Sequence, residues 1–368
     1  MRIGIDISQV AFTGTGIATY TQNLVRELLR IDTTNDYVLF GSSLRRKDIL
    51  IQYVDTLTKR KGLDARFFSL PPSVLEGMWN GWHTGDIELL TGNINVFHTS
   101  DWLEPPSKSK KVTTIHDLLV YKFEDSMHPK IVANQKKKLE WVQKESQLIL
   151  VDSESTKQDC IDILGIEADK LRVVYLGVDS RFKPVSYEER ERVKKKYNIK
   201  SDYILTMGTL EPRKNIKRVI EASKKLLSKD LQLVVVGKYV WGEALDIPEN
   251  VQIIEFIETE EVPALYGGAL CFAYPSLYEG FGLPVLEAMA CGCPVVTSDR
   301  GSLKEVAGPS TIVHPEDVDA ISKAIRKVID STDSQYEAQV KKGFDWVKKF
   351  TWEKTAKETL KVYKEAAL

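Results

Sequence analysis

The chain of 368 residues carries 51 lysines and arginines against 52 aspartates and glutamates, a net charge of −1, with 43% hydrophobic and 28% charged residues. That length suits two domains, each large enough to bury its own core. Near-neutrality gives no global reason to bind nucleic acid, and no apolar run approaches the roughly 18 residues needed to span a bilayer.

Further exclusions follow from the cysteines and the first residues. Cys160, Cys271, Cys291 and Cys293 lack metal-binding spacing, so buried reduced thiols in a reducing compartment are expected. The first residues read directly as a strand, so no signal peptide is expected. A cytoplasmic location is expected. Basic runs at 108–111, 136–138 and 194–196 read as solvated faces that leave room for peripheral contact with anionic lipid at the inner face of a membrane.

In chain order, short apolar runs at 3–7, 37–40, 96–98, 112–115, 148–151 and 172–175 read as buried parallel strands. Helical patterns fall between them. At 19–30 the spacing puts Tyr20, Leu24, Val25 and Leu28 on one stripe, and 156–164 follows Ser153 and Ser155, either of which can cap it. Residues 180–196 turn polar and read as a linker entering a helix. A second series follows, with strands at 203–207, 231–236, 251–254, 270–274 and 294–297 and helices at 217–227, 262–266, 284–289 and 318–330. Two such series predict an α/β protein of two doubly wound Rossmann-like domains facing across a cleft, at 1–183 and 184–351, with ligands at the carboxyl ends of the strands.

Four segments carry chemistry. The loop Thr13-Gly14-Thr15-Gly16-Ile17 follows the first strand and precedes a helix, so that backbone can approach a phosphate closely. It is not a dinucleotide fingerprint, because the third glycine would fall at Thr19. His116 and Asp117 follow the strand 112–115; the imidazole can donate to a sugar hydroxyl, with Asp117 orienting it or touching an acceptor, or the two form a structural pair. In Gly208-Thr-Leu-Glu211-Pro-Arg213-Lys214-Asn215, a glycine and paired cations after a strand make a phosphate receptor or a basic surface turn. Between Tyr274 and Val296, Glu279 lies in a glycine-rich turn and Glu287 on a helix opened by Pro284, which brings a carboxylate to a helix N-terminus. Trp79 and Trp82 lie in an irregular stretch and suit core packing better than an acceptor groove or lipid.

The string from Glu279 to Glu287 resembles the Glu-x7-Glu signature of the retaining glycosyltransferases with two Rossmann-like domains (glycosyltransferase family 4, GT-B fold), and the resemblance extends from Arg2 to the last helix. It implies that Glu279 contacts hydroxyls of a donor sugar and Glu287 the ribose of its nucleotide. It implies that His116 contacts the sugar near its 6-position, and that Gly14, Gly16, Gly208, Arg213 and Lys214 face the diphosphate. Backbone around Gly280, Phe281, Gly282 and Leu283 would hold the donor, and helix 352–368 would cross back to the N-terminal domain. The family more often has an arginine directly after the first glycine of the phosphate segment, where Thr209 stands, so Arg213 either replaces it or points outward.

The function implied is transfer of a hexose, mannose first, from a nucleotide-diphosphate sugar to a hydroxyl of a glycan or lipid-linked saccharide. GDP-mannose is the leading donor and a UDP-sugar the alternative. No Asp-x-Asp motif stands in a plausible site, so no metal or other cofactor is expected. A nucleotide-sugar epimerase on the same plan, or a non-catalytic nucleotide-sugar-binding protein, are the competing readings. Base recognition is expected around 237–242 and 255–258.

Overall fold

The computed structural model describes residues 1–238 and 247–368. The chain divides into two units, Met1–Gly177 with Trp352–Leu368, and Val178–Thr351. The boundary thus falls before the 183 read from sequence. The intervening segment already belongs to the second unit: Val178 donates its N–H to Phe350 O (3.1 Å), and the Phe182 ring packs edge-on against Tyr266.

The first unit is built on a seven-stranded parallel sheet. Its strands are β1 (Arg2–Asp6), β2 (Asp36–Ser42), β3 (Leu63–Phe68), β4 (Val96–His98), β5 (Lys110–Ile115), β6 (Ser146–Val151) and β7 (Leu171–Val173), in the order β3-β2-β1-β4-β5-β6-β7. The chain runs outward from β1 to β3, then returns and runs outward the other way from β4. The switch between β1 and β4 is where such sheets open a crevice at their carboxyl edge. The inner strands are nearly all buried, as sheets covered on both faces require.

The terminal helix Trp352–Ala366 packs on the first helix, Gly16–Ile31, within this unit. Thr355 Oγ1 donates to Tyr175 O (2.7 Å), Arg30 pairs with Glu353, and Tyr363 is fully buried. Of the two candidate caps after β6, Ser153 is the one that caps the helix Glu154–Leu164, accepting from Thr156 N.

The second unit repeats the plan, with six parallel strands among its described residues: β8 (Asp202–Met207), β9 (Leu231–Val236), β10 (Val251–Ile254), β11 (Cys271–Tyr274), β12 (Val295–Ser298) and β13 (Thr311–Val313). Their order is β10-β9-β8-β11-β12-β13, with the switch between β8 and β11. Its core interleaves Ile204, Leu233, Val235, Ala273 and Val296 with Val219, Ile220, Ile321 and Ile325 from covering helices.

Three expectations need correction or completion. The basic runs are not uniformly solvated. Lys111 and Lys138 are 2% and 1% exposed; Lys111 pairs with Glu104 and Glu145, and Lys138 donates to Thr113 Oγ1. Trp79 is buried in the core with Phe40 and Phe97, whereas Trp82 is exposed. All four cysteines are buried free thiols. Among the described residues no helix is long and apolar enough to cross a membrane.

Candidate active site

In the second unit the chemistry gathers at the β8/β11 switch. β8 ends at Met207, and Gly208 follows with φ 141°; its missing Cβ would lie 3.2 Å from the Lys214 stem. Gly237, after β9, has φ 153°, and a Cβ there would sit 1.8 Å from Gly208 O. These glycines let two strand ends meet backbone to backbone and leave a channel for the lysine.

The Gly208 turn is then locked to its neighbours. Asn215, at φ 60°, donates its side-chain amide to Pro275 O (2.9 Å) and Pro315 O (2.7 Å), and Leu277 N donates to Arg213 O (2.7 Å). On the other side, Ser302 Oγ donates to Glu279 O (2.6 Å) and Ser298 Oγ to Ser276 O (2.7 Å).

These ties bring Arg213, Lys214 and Glu279 together, as the sequence suggested. Lys214 Nζ donates to Glu279 Oε1 (2.8 Å) and Oε2 (3.0 Å) and to Tyr274 Oη (2.6 Å). Arg213 donates to Glu279 Oε2 (3.0 Å) and Tyr278 O (3.3 Å), and pairs with Glu211 at 2.8 Å. The guanidinium therefore points inward, not outward.

Tyr274 was not singled out from sequence. Its hydroxyl donates to Glu279 Oε1 at 2.8 Å. Burial pushes the Glu279 carboxyl up, but Lys214 and Arg213 outweigh it and hold the group at about 2. Burial depresses Lys214, with Glu279 opposing.

Glu287 lies on the helix Leu283–Ala290, one residue longer at its start than the Pro284 opening predicted. Gly282 precedes it with φ 102°, pressed against Leu303 and Val306. Burial raises the Glu287 carboxyl to about 7, against the pull of the Tyr266 hydroxyl and Arg181. Phe281 is buried and its ring packs edge-on against Phe350. Of the stretches assigned to base recognition, Gly237 is spent on Gly208, residues 239–242 lie outside the described residues, and in 255–258 Phe256 is 62% exposed.

In the first unit a second constellation forms at the carboxyl ends of β1, β4, β5 and β6. Gly14 (φ 83°) and Gly16 flank Thr15, whose side chain caps the first helix by accepting from Ala18 N; open space surrounds both glycines. His116 Nδ1 lies 2.7 Å from Asp152 Oδ2, and the ring meets Tyr20 edge-on at 4.6 Å. Asp152, not the adjacent Asp117, orients the imidazole. Asp117 Oδ1 instead accepts from Leu119 N at 2.9 Å, closing the turn after β5.

Burial works against charge on His116, but attraction to Asp152 and the hydrogen bond it accepts raise the imidazole to about 9, with Asp101 and Asp117 adding to it. His98, given no role from sequence, is buried between Tyr363 Oη (2.6 Å) and Thr114 Oγ1 (2.9 Å). Ile5, Asp6, Tyr20, His98, Asp101, Thr114 and His116 line a cavity of about 10 Å³.

Comparison with known proteins bears on what this arrangement serves. Residues 14–182 match the family model described as Glycosyltransferase Family 4, and residues 188–346 match the one described as Glycosyl transferases group 1. An O-antigen chain mannosyltransferase B of Escherichia coli is 30% identical, covering 99% of this chain and 100% of its own length. The chain belongs to glycosyltransferase family 4. The O-antigen chain mannosyltransferase RfbU of Salmonella typhimurium is 24% identical over 88% of the chain and 90% of its own.

Among solved structures, a sucrose-phosphate synthase from Thermosynechococcus elongatus superposes with a TM-score of 0.74 at 19% identity, over 99% of this chain and 98% of that one. HepE of Anabaena, in complex with UDP and glucose, gives 0.72 at 15% identity over 99% and 100%. The fold is therefore the GT-B plan of two Rossmann-like units, and the protein is a glycosyltransferase.

Proposed function

We propose that this family 4 enzyme moves a hexose, mannose first, from a nucleotide-diphosphate sugar to a hydroxyl of a glycan or lipid-linked saccharide in surface polysaccharide synthesis, with retention of anomeric configuration. The observation that carries the reading is the Arg213–Lys214–Glu279–Tyr274 cluster at the β8/β11 switch, with Glu287 on the helix that follows. The full-length likeness to an O-antigen mannosyltransferase supports mannose and GDP-mannose as first choice of sugar and donor, and the UDP complex of HepE keeps a UDP-sugar as the alternative. A lipid-linked acceptor would bring a cytoplasmic enzyme to the inner face of a membrane.

In this reading the diphosphate shares Lys214 and Arg213 with Glu279, while Glu279 accepts from sugar hydroxyls and Glu287 from the ribose. His116 donates to the sugar near its 6-position, and amides around Gly14, Gly16, Gly208 and the turn Gly280–Leu283 complete the donor contacts. The bond between the anomeric carbon and the β-phosphate oxygen breaks as the acceptor oxygen bonds on the same face. The acceptor proton goes to the departing diphosphate oxygen. Positioned cations stabilise the charge that develops there, each 1.36 kcal/mol being worth about tenfold in rate.

Incubation with GDP-mannose, UDP-glucose and a mannoside acceptor tests this reading. It requires acceptor-dependent release of the nucleoside diphosphate and an α-linked product by NMR. Donor conversion without acceptor, or an inverted linkage, would refute it.

A further inference from the structure

The sequence offers Asp117 as the partner of His116; the fold supplies another. β5 and β6 run parallel with Ile115 beside Val151, so the next residue on each, His116 and Asp152, emerge side by side at the carboxyl edge. Asp152 is 3% exposed and its Oδ2 sits 2.7 Å from His116 Nδ1. Both are held by backbone ties: Thr156 Oγ1 donates to His116 O, and Ser153, next to Asp152, caps the following helix.

The ring's orientation is fixed from another side. Tyr20 packs edge-on against it, and the Tyr20 hydroxyl lies 2.9 Å from Thr114 Oγ1. Thr114 also meets His98, which is bonded in turn to Tyr363 of the terminal helix. An imidazole so constrained has one nitrogen committed to Asp152 and presents only Nε2 to a ligand.

The charges facing His116 are mostly negative. Asp152 comes from the end of β6, Asp101 from the segment after β4, Asp117 from its own turn, and Asp6 lines the same cavity from β1. His98, which burial holds down at about 3 with Lys138 of the helix Pro129–Glu145 acting in the same direction, is neutral and adds no charge. Tyr20, from the first helix, is buried and keeps its proton.

We propose that Asp152 is the positioning residue of this site: its buried carboxylate fixes the Nδ1 proton of His116 and keeps the imidazole cationic, so that Nε2–H acts as a permanent hydrogen-bond donor to a neutral sugar hydroxyl and not as a base. The carboxylates around it disfavour a phosphate at that position, which narrows the ligand to an uncharged sugar. The catalytic use of this donor rests on the transferase reading; its protonation state does not. A base must titrate near working pH to be effective, and this group stays charged through neutrality.

The test is NMR titration of the imidazole nitrogens in the ligand-free protein, with His116→Gln to assign the signal, beside pH profiles of transfer. In the wild type the His116 midpoint should lie well above the ordinary 6.5, and kcat should stay level from pH 7 to 8. In Asp152→Asn the midpoint should drop by about 2 units, kcat should fall about tenfold per pH unit above the new midpoint, and KM for donor should change little. Asp152→Glu should restore much of both. A wild-type midpoint near the ordinary 6.5, or an Asp152→Asn enzyme with unchanged midpoint and profile, overturns the proposal. The wild-type titration needs no variant to fold. A protein that titrates as stated but transfers no sugar from any nucleotide donor refutes the transferase reading and supports the dyad.

Discussion

At the β8/β11 edge of the second unit, two cations share one carboxylate and a tyrosine hydroxyl. At the carboxyl ends of β5 and β6 in the first, one imidazole is ringed by carboxylates. Both lie on the carboxyl edge of a sheet of the same plan, and both are built from residues that follow strand ends. The difference lies in what each can receive. Lys214 and Arg213 already hold an anionic oxygen pair, that of Glu279, through charge-assisted hydrogen bonds. His116 sits among carboxylates, with a neutral sugar hydroxyl as the proposed acceptor for its Nε2–H. The two carboxyl edges thus differ in charge: paired cations about one carboxylate after β8 and β11, and one imidazole among carboxylates after β5 and β6.

The largest effect should come from removing the cation that anchors the first of these. Lys214→Ala should lower kcat/KM for transfer about 100-fold or more, about 2.7 kcal/mol of lost charge stabilisation, with circular dichroism and melting temperature close to wild type. The matched change Glu279→Gln keeps shape but removes the counter-charge, and transfer should fall at least about tenfold. Wild-type turnover in both would erase the distinction between the two edges.

The scaffold beneath the cations supplies the next. Gly237→Ala would put a methyl group 1.8 Å from Gly208 O at φ 153°. Destabilisation of about 3 kcal/mol is expected in urea unfolding. Gly14→Ala, with φ 83° but open space around it, should cost only about 1 kcal/mol. Equal costs would mean that the backbone contact between Gly208 and Gly237 does not hold the receptor.

The strands that set these edges were readable because buried parallel strands are unbroken apolar runs. β3 (Leu63–Phe68) escaped because its residues are only half-buried at a sheet edge, and β13 because only Val313 of its three residues is buried. The polar helices Pro129–Glu145 and Asp333–Val347 lack an apolar stripe strong enough to declare them. The second-unit site was more legible than the first because its partners lie in two short strings, each centred on a glycine turn. Asp152 was not, since only the β5–β6 register brings it to a histidine 36 positions away. Lys111 and Lys138 sit in basic runs that look solvated, and nothing in a run marks which lysine the fold will bury.

The pH response of Glu287 sharpens the comparison by a smaller amount. Its folded-state carboxyl is raised to about 7 from an ordinary 4.5. As an acid raised by folding, it costs nothing below pH 4.5. From there up to about 7 the unfolded chain loses its proton first, so stability falls, and above 7 the loss levels off. The full effect is bounded at about 3 kcal/mol, from 1.36 kcal/mol per unit. Glu287→Gln should flatten that decline in denaturant titrations at pH 5 and 8. If the ribose needs the ionised form, nucleotide affinity should rise with pH up to about 7, and the variant should lose that slope in calorimetry.

Asp117 gives the smallest effect and the finest discrimination at the imidazole edge. Its position beside His116 made it a candidate catalytic group, but its Oδ1 accepts from Leu119 N two residues on, as a turn-closing aspartate does. It also adds to the negative field that raises His116, though Asp152 contributes more. Asp117→Ala should therefore cost about 1 kcal/mol of stability, the size of a lost capping bond, and Asp117→Asn, whose amide oxygen can still accept, should recover most of it. Transfer by Asp117→Asn should stay within about threefold of wild type, because a field spread over several carboxylates changes little when one is neutralised, an effect under 1 kcal/mol. A hundredfold loss in that variant would move the orienting role from Asp152 to Asp117 and make the first edge depend on two carboxylates where the geometry gives it one.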